Sequence, residues 1–136
     1  YHGPGQAVVY LLIDLARRRI KVRELVSLIE QSVLDVLRAY GIDGQLREGA
    51  PGVYVGDAKI AALGLKISRG CSYHGLSLNC DMDLAPFTAI NPCGYPGLKS
   101  VQLRDFGVTD PVPVIHARLA DALSARLEHS HGQHPA

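Results

Sequence analysis

Eight apolar residues, Val22, Leu25, Val26, Ile29, Val33, Val36, Leu37 and Tyr40, recur at steps of three and four along one stretch of this 136-residue chain. At 3.6 residues per turn, that spacing gathers them on one face of a helix. Such a stripe is too wide for a helix standing alone in water, so the helix must cover a sheet. Gly41 follows at the position where helices commonly end in the left-handed conformation. Upstream, Ala7-Val8-Val9-Tyr10-Leu11-Leu12-Ile13 is an unbroken apolar run behind the breaker Gly3-Pro4-Gly5. It predicts a strand buried on both faces.

After Gly44 the texture changes to short strands and glycine turns. Val53-Tyr54-Val55 and the stretch from Lys59 to Ile67 flank Gly56-Asp57-Ala58, which reads as a hairpin. A further strand is expected over Tyr73–Asn79, with His74, Leu76 and Leu78 on one side and Tyr73, Gly75 and Ser77 on the other. A helical turn is expected over Leu84–Ile90. Asn91-Pro92-Cys93-Gly94-Tyr95-Pro96-Gly97, with two prolines and two glycines, is expected to be irregular. Val101–Leu103 reads as a last strand. Asp110-Pro111 resembles a cap and first-turn proline, opening a helix over Pro113–Leu127 with Ile115, Leu119, Ala122 and Leu123 inward. The order strand, helix, several strands, helix predicts a mixed α/β domain over residues 1–128, with a frayed tail over 129–136.

Composition narrows the function. Fourteen Lys and Arg stand against 13 Asp and Glu, a net charge of +1, so no strong field points to nucleic acid or to a membrane surface. An apolar fraction of 47% argues against disorder. No run of about 20 apolar residues exists to span a bilayer. The start, Tyr1-His2-Gly3-Pro4-Gly5-Gln6, carries neither an initiator Met nor a signal sequence, and the only methionine is Met82. The expectation is a chain that begins inside a longer protein. Three cysteines, Cys71, Cys80 and Cys93, are odd in number and form no CxxC pair, which favours free thiols in a reducing compartment.

Cys93 is the most informative of the three. A cysteine in a strand is usually a small hydrophobe, the reading given to Cys80. Pro-Cys-Gly in a loop can instead expose its thiol among backbone N–H groups; the bland alternative is a loop thiol with no task. A thiol of pKa 8.5 is only about 3% ionised at pH 7, so a nucleophile needs a cation nearby. Lys59, at the head of the apolar stretch Ile60–Leu65, is the candidate, although a solvent-facing strand end is the commoner role for such a lysine. Gly64 and Gly75 interrupt apparent strands, which marks either a bulge or the close approach of a ligand to the backbone. His2 and His74 lack a second pair at ligand spacing, so a metal site is not expected. Arg17 to Lys21 reads as a solvated edge; as a docking patch its sign would suit an acidic carrier protein.

Five motifs then occur in order: Tyr-His-Gly-Pro-Gly-Gln (1–6), Ala-Pro-Gly-Val-Tyr-Val-Gly (50–56), Lys-Ile-Ala-Ala-Leu-Gly (59–64), His-Gly-Leu-Ser-Leu-Asn (74–79) and Asn-Pro-Cys-Gly-Tyr (91–95). The ordered set resembles the lipoyl(octanoyl) transferases, also called lipoate-protein ligase B or octanoyltransferases, from Tyr1 to about Leu103. The resemblance implies a biotin/lipoate-ligase-like α/β fold, N-terminally truncated because the family carries an Arg-Gly-Gly stretch upstream of this start. It implies transfer of an octanoyl group from acyl carrier protein to a lysine of lipoyl domains. The implied acceptors are those of the 2-oxoacid dehydrogenase complexes and the glycine cleavage H protein, in the cytoplasm. Cys93 matches the family's acyl-thioester nucleophile and Lys59 the lysine that lowers its pKa. Tyr1, His2, Ala62, Leu63, Gly64, Gly75, Leu76 and Ser77 match segments that line the acyl substrate. No cofactor is implied, because converting a thioester to an amide is downhill without ATP or metal. Two other readings stay open: an ATP-dependent lipoate or biotin-protein ligase on the same fold, and an inactive fragment that binds an acyl group or a carrier domain.

Overall fold

In the computed structural model, which describes residues 5–14, 21–68, 71–81 and 99–132, the apolar stripe forms helix α1, Val22–Ala39. Leu25, Ile29, Val33, Val36 and Leu37 are buried along it. Ser32 sits on the same face and satisfies its hydroxyl by donating to the Leu28 carbonyl at 2.8 Å. Tyr40 caps the helix and Gly41 takes φ 75°, the left-handed stop that its position predicts.

Among the described residues six strands form one sheet: β1 (Gln6–Asp14), β2 (Gln45–Arg47), β3 (Ala50–Val55), β4 (Ala58–Ser68), β5 (Cys71–Asn79) and the two-residue β6 (Lys99–Ser100). The order is β1-β5-β4-β3-β2, with the pairs along this path antiparallel, and β6 joins β4 in parallel. Gly56 and Asp57 make the β3–β4 turn, with Gly56 at φ 60°. Ala58 already pairs with Val55, so the hairpin is tighter than the sequence suggests. Among the described residues β1 lies at the sheet edge and Tyr10 is 73% exposed. That corrects the expectation of burial on both faces. A continuous apolar run does not distinguish a central strand from an edge strand, because it records neither edge pairing nor which face the helices cover.

Helix α2, Val112–Gly132, lies beside α1 on one face of the sheet. Ile115, Leu119 and Leu123 point inward and join Ala7, Val53, Ile60, Ala61, Leu76 and Leu78 in a single core. The helix continues one turn past Leu127, since no proline intervenes before Pro135. Asp110 does not act as its cap. Its carboxylate accepts the Tyr40 hydroxyl at 2.8 Å and faces Arg118, which ties the start of α2 to the end of α1. The expected strand over Val101–Leu103 is also displaced. Pairing ends at Ser100, and Leu103 opens a 3₁₀ turn, Leu103–Phe106, closed by Gly107 at φ 83°. Cys71 opens β5. Tyr1, His2, Arg17–Arg19, the expected turn over Leu84–Ile90, the 91–97 segment with Cys93, and the side chain of His74 lie outside the described residues.

The two helices are pinned by Arg126 of α2 on Asp35 of α1, a two-pronged pair with Nη2 at 2.8 Å from Oδ1. The Arg126 hydrogen bond, followed by its charge and that of Arg38, holds the Asp35 carboxyl below its ordinary 3.8 despite partial burial. A depressed carboxylate stabilises the fold above its unfolded pKa, and the contribution is lost as pH falls through the folded value. Arg126→Met is therefore expected to cost about 1 kcal/mol near pH 7, screened by solvent at this half-open site. The difference between the variant and the parent should vanish below the ordinary carboxylate range. Denaturant unfolding of both proteins across that pH window checks it.

Candidate functional site

Strand pairing decides which side chains share a face. Ala61 pairs with Leu78 and Leu63 with Leu76, and these look toward the helices. Ala62 pairs with Ser77 and Gly64 with Gly75, so these four occupy the opposite face. Simple alternation along β4 would put Lys59 with Ala61, against the core. It does not, because the register shifts: Val53 faces Ala61 while Tyr54 faces Lys59, leaving Ile60 as the extra residue of a bulge. Ile60 and Ala61 are both buried in the core, and Lys59 turns to the open face with Ala62 and Gly64. This bulge builds the site.

A cleft of about 260 Å³ results on the face away from the helices. Gln6 of β1, Gly75, Ser77 and Asn79 of β5, Ala61 to Gly64 of β4, Lys59 and Ser100 line it. The volume is just below the usual range of ligand pockets, about 300–1,000 Å³, and suits a narrow unbranched group. Gly64 and Gly75 oppose one another, and a Cβ on Gly64 would meet nothing closer than the Gly75 carbonyl at 4.0 Å. The floor is bare backbone at Gly64, while the Tyr10 ring stands 3.6 Å from where a Gly75 Cβ would be. The other end is polar: Gln6 Nε2 donates to Asn79 Oδ1 at 2.9 Å, and Asn79 Nδ2 donates to the Val101 carbonyl at 3.0 Å. Val101 in turn donates its N–H to the Lys59 carbonyl at 3.0 Å. At the far side, the Cys80 and Asp81 N–H groups both donate to the Gly5 carbonyl at 3.0 Å. Asp81 is thus tied to Gly5 just ahead of β1, and Lys99 pairs with Ala58 at the start of β4.

Of the residues singled out in the sequence, the structure gathers Lys59, Ala62, Leu63, Gly64, Gly75 and Ser77 around this cleft. Leu76 is separated from them: its side chain is 1% exposed and belongs to the core. A segment match treats Gly75-Leu76-Ser77 as one lining, whereas a strand sends its middle residue the other way. Gln6, Asn79 and Ser100 join the cleft and were not singled out as site residues. Gln6 and Asn79 sit inside the quoted motifs, so a signal for them existed. Cys80 is buried, its thiol donating to the Leu78 carbonyl at 3.4 Å, and burial pushes it up to about 11. Cys80 is thus a poor nucleophile near neutrality. Among the described residues, no three His, Cys, Asp or Glu side chains are grouped to hold a metal ion, and no helix is long and apolar enough to cross a membrane.

The model of the lipoyl protein ligase A/B catalytic domain matches residues 1–124. The chain belongs to that family. Within the lipoyl protein ligase A/B family, similar relatives are named octanoyltransferase. That of Dechloromonas aromatica is 61% identical over 132 residues, covering 97% of this chain and 64% of the relative. That of an Azoarcus species is 61% identical over 123 residues, 90% of this chain and 54% of the relative. The chain thus spans less than two thirds of the length of these relatives. In solved structures the same fold recurs at low identity. A biotin protein ligase from Aquifex aeolicus superposes with TM-score 0.77 at 15% identity, covering 95% of this chain and 56% of that one. A lipoate-protein ligase A bound with ATP gives TM-score 0.68 at 17% identity, over 89% of this chain and 51% of that one. The mixed sheet with its covering helices is therefore the fold of lipoyl protein ligase A/B domains, as the motif resemblance implies.

Proposed function

We propose that the protein moves an octanoyl group from acyl carrier protein to a lysine of a lipoyl domain through a thioester on Cys93, with Lys59 as the cation that favours the thiolate. The observation that carries this reading is the bulge of β4, which turns a lysine from the core onto a narrow cleft floored by opposed glycines. Between Lys59 and Gly64 the strand extends for roughly 16 Å, room for an extended eight-carbon chain to lie with its head at the lysine. Ser100 pairs with Lys59 across β6 and β4, and Cys93 precedes Ser100 by seven positions in the sequence. The relatives' shared name supports the substrate and the reaction.

In the first step the Cys93 sulfur bonds to the carbonyl carbon of the carrier thioester. The bond to the carrier sulfur breaks, and the carrier leaves as a thiol after taking a proton. In the second step the acceptor lysine amine attacks the Cys93 thioester and loses a proton, giving the amide and returning the thiol. Lys59 is suited to hold the thiolate and to pass those protons. The polar end, Gln6, Asn79 and Ser100, lies where the thioester carbonyl would sit. The acceptors are lipoyl domains of the 2-oxoacid dehydrogenase complexes and the glycine cleavage H protein, and the compartment is the cytoplasm, in keeping with free thiols.

Intact-mass measurement after mixing the intact protein with octanoyl-carrier protein tests the covalent step. One octanoyl group should be added, removable by neutral hydroxylamine and absent in Cys93→Ser treated the same way. An adduct that persists in that variant would assign the chemistry to another residue. Dependence of transfer on ATP would favour the ligase reading.

A further inference from the structure

Lysine is a poor choice where a charge must be aimed, because its flexible four-carbon stem adopts many rotamers. Two residues of β3 limit that freedom here. Gly52 has φ 122°, a conformation that side chains rarely adopt. A Cβ on Gly52 would come within 2.7 Å of both the Ala61 carbonyl oxygen and Lys59 Cε, and within 3.5 Å of Lys59 Nζ. The missing side chain is therefore the notch in which the end of the lysine stem lies. The notch is held from outside the sheet, where the Gly52 N–H donates to Glu30 Oε2 of α1 at 3.2 Å. Tyr54 forms a second wall. It is the cross-strand partner of Lys59, is 4% exposed, and its ring centroid stands 5.8 Å from Nζ. Arg47, bonded to the Gly56 carbonyl and to Asp57, stacks on the same ring at 4.4 Å and helps to fix its plane.

We infer that Gly52 and Tyr54 are positioning residues which aim the Lys59 amine into the cleft: one supplies the missing volume, the other the aromatic wall. The inference rests on the reading of Lys59 as the working lysine, and neither residue touches the reacting atoms. Their substitution should lower kcat while leaving the KM for the octanoyl donor nearly unchanged, because the glycine floor that holds the chain is untouched.

The test uses the intact protein with octanoyl-carrier protein and a lipoyl-domain acceptor, with melting curves to verify folding. Tyr54→Leu removes the ring and is expected to lower kcat about tenfold with KM within twofold; Tyr54→Phe keeps the ring and should recover to within threefold of the parent. Gly52→Ala should slow the parent by tenfold or more but add no further loss in a Lys59→Met background. Because Gly52→Ala also strains the backbone, the Tyr54 pair decides the matter where that variant does not fold. A folded Tyr54→Leu with parental kcat overturns the inference, as does an equal loss in Tyr54→Phe, or a Gly52→Ala loss of the same size in both backgrounds. Parental activity in Lys59→Met alone would instead sink the functional reading, so the two failures are distinguishable.

Discussion

Replacing Lys59 by methionine is expected to lower octanoyl transfer by about 10²–10⁴-fold, the usual worth of a positioned proton-transferring or charge-bearing group, and to leave the fold intact. Methionine keeps most of the stem that lies along Gly52 and against Tyr54, and so preserves its packing. The Lys59 contact that matters to the sheet is made by its main-chain carbonyl, which accepts from Val101 whatever the side chain. The substitution therefore isolates the ammonium. Octanoylation rate and melting temperature, measured on the same preparation, check both halves. A loss of activity smaller than tenfold would remove Lys59 from the mechanism, whereas a large fall in melting temperature would show that the residue serves the fold first.

The second large effect falls on stability. Leu76→Ala is expected to cost about 2–5 kcal/mol, the range for truncating a fully buried leucine. Against total stabilities of about 5–15 kcal/mol, that is a large share. Leu76 is 1% exposed between β1 and β4, pairing with Val9 on one side and Leu63 on the other. Its side chain faces the helices, so the gap would open in the core and not in the cleft. Denaturant unfolding measures the cost. A change below 1 kcal/mol, accompanied by altered preference for acyl-chain length, would return Leu76 to the acyl lining and contradict the alternation of faces along β5.

The contrast between Leu76 and Lys59 shows what a sequence of this kind does and does not carry. The α1 stripe was legible because helical periodicity and burial are the same fact seen twice: Leu25, Ile29, Val33, Val36 and Leu37 recur at the helix period and are all buried. The inward face of α2 was legible for the same reason. Local chemistry was misleading where a distant partner competed for it. Asp110 has the form of a cap, but Tyr40, 70 residues earlier in the chain, takes its carboxylate. The apolar run of β1 does not tell edge from centre, because the two differ only in what pairs beside them. The motifs supplied Lys59 and the two glycines, but nothing in Lys-Ile-Ala-Ala-Leu-Gly announces the bulge. It exists only as a mismatch of register between β3 and β4. Gly52 is visible as a motif glycine, but nothing in the sequence announces that the stem of Lys59 lies across it.

That mismatch has a consequence for how this stretch can evolve. Lys59 and Gly64 are five positions apart, an odd number, yet they share a face because one residue between them is surplus to the ladder. Inserting or deleting a single residue there reverses the parity and drives a charged amine toward the core, unless the bulge is gained or lost in the same event. Length changes between the lysine and the glycine should therefore come in twos, or together with a shift of register on β3. The neighbouring turn at Gly56-Asp57 obeys no such arithmetic.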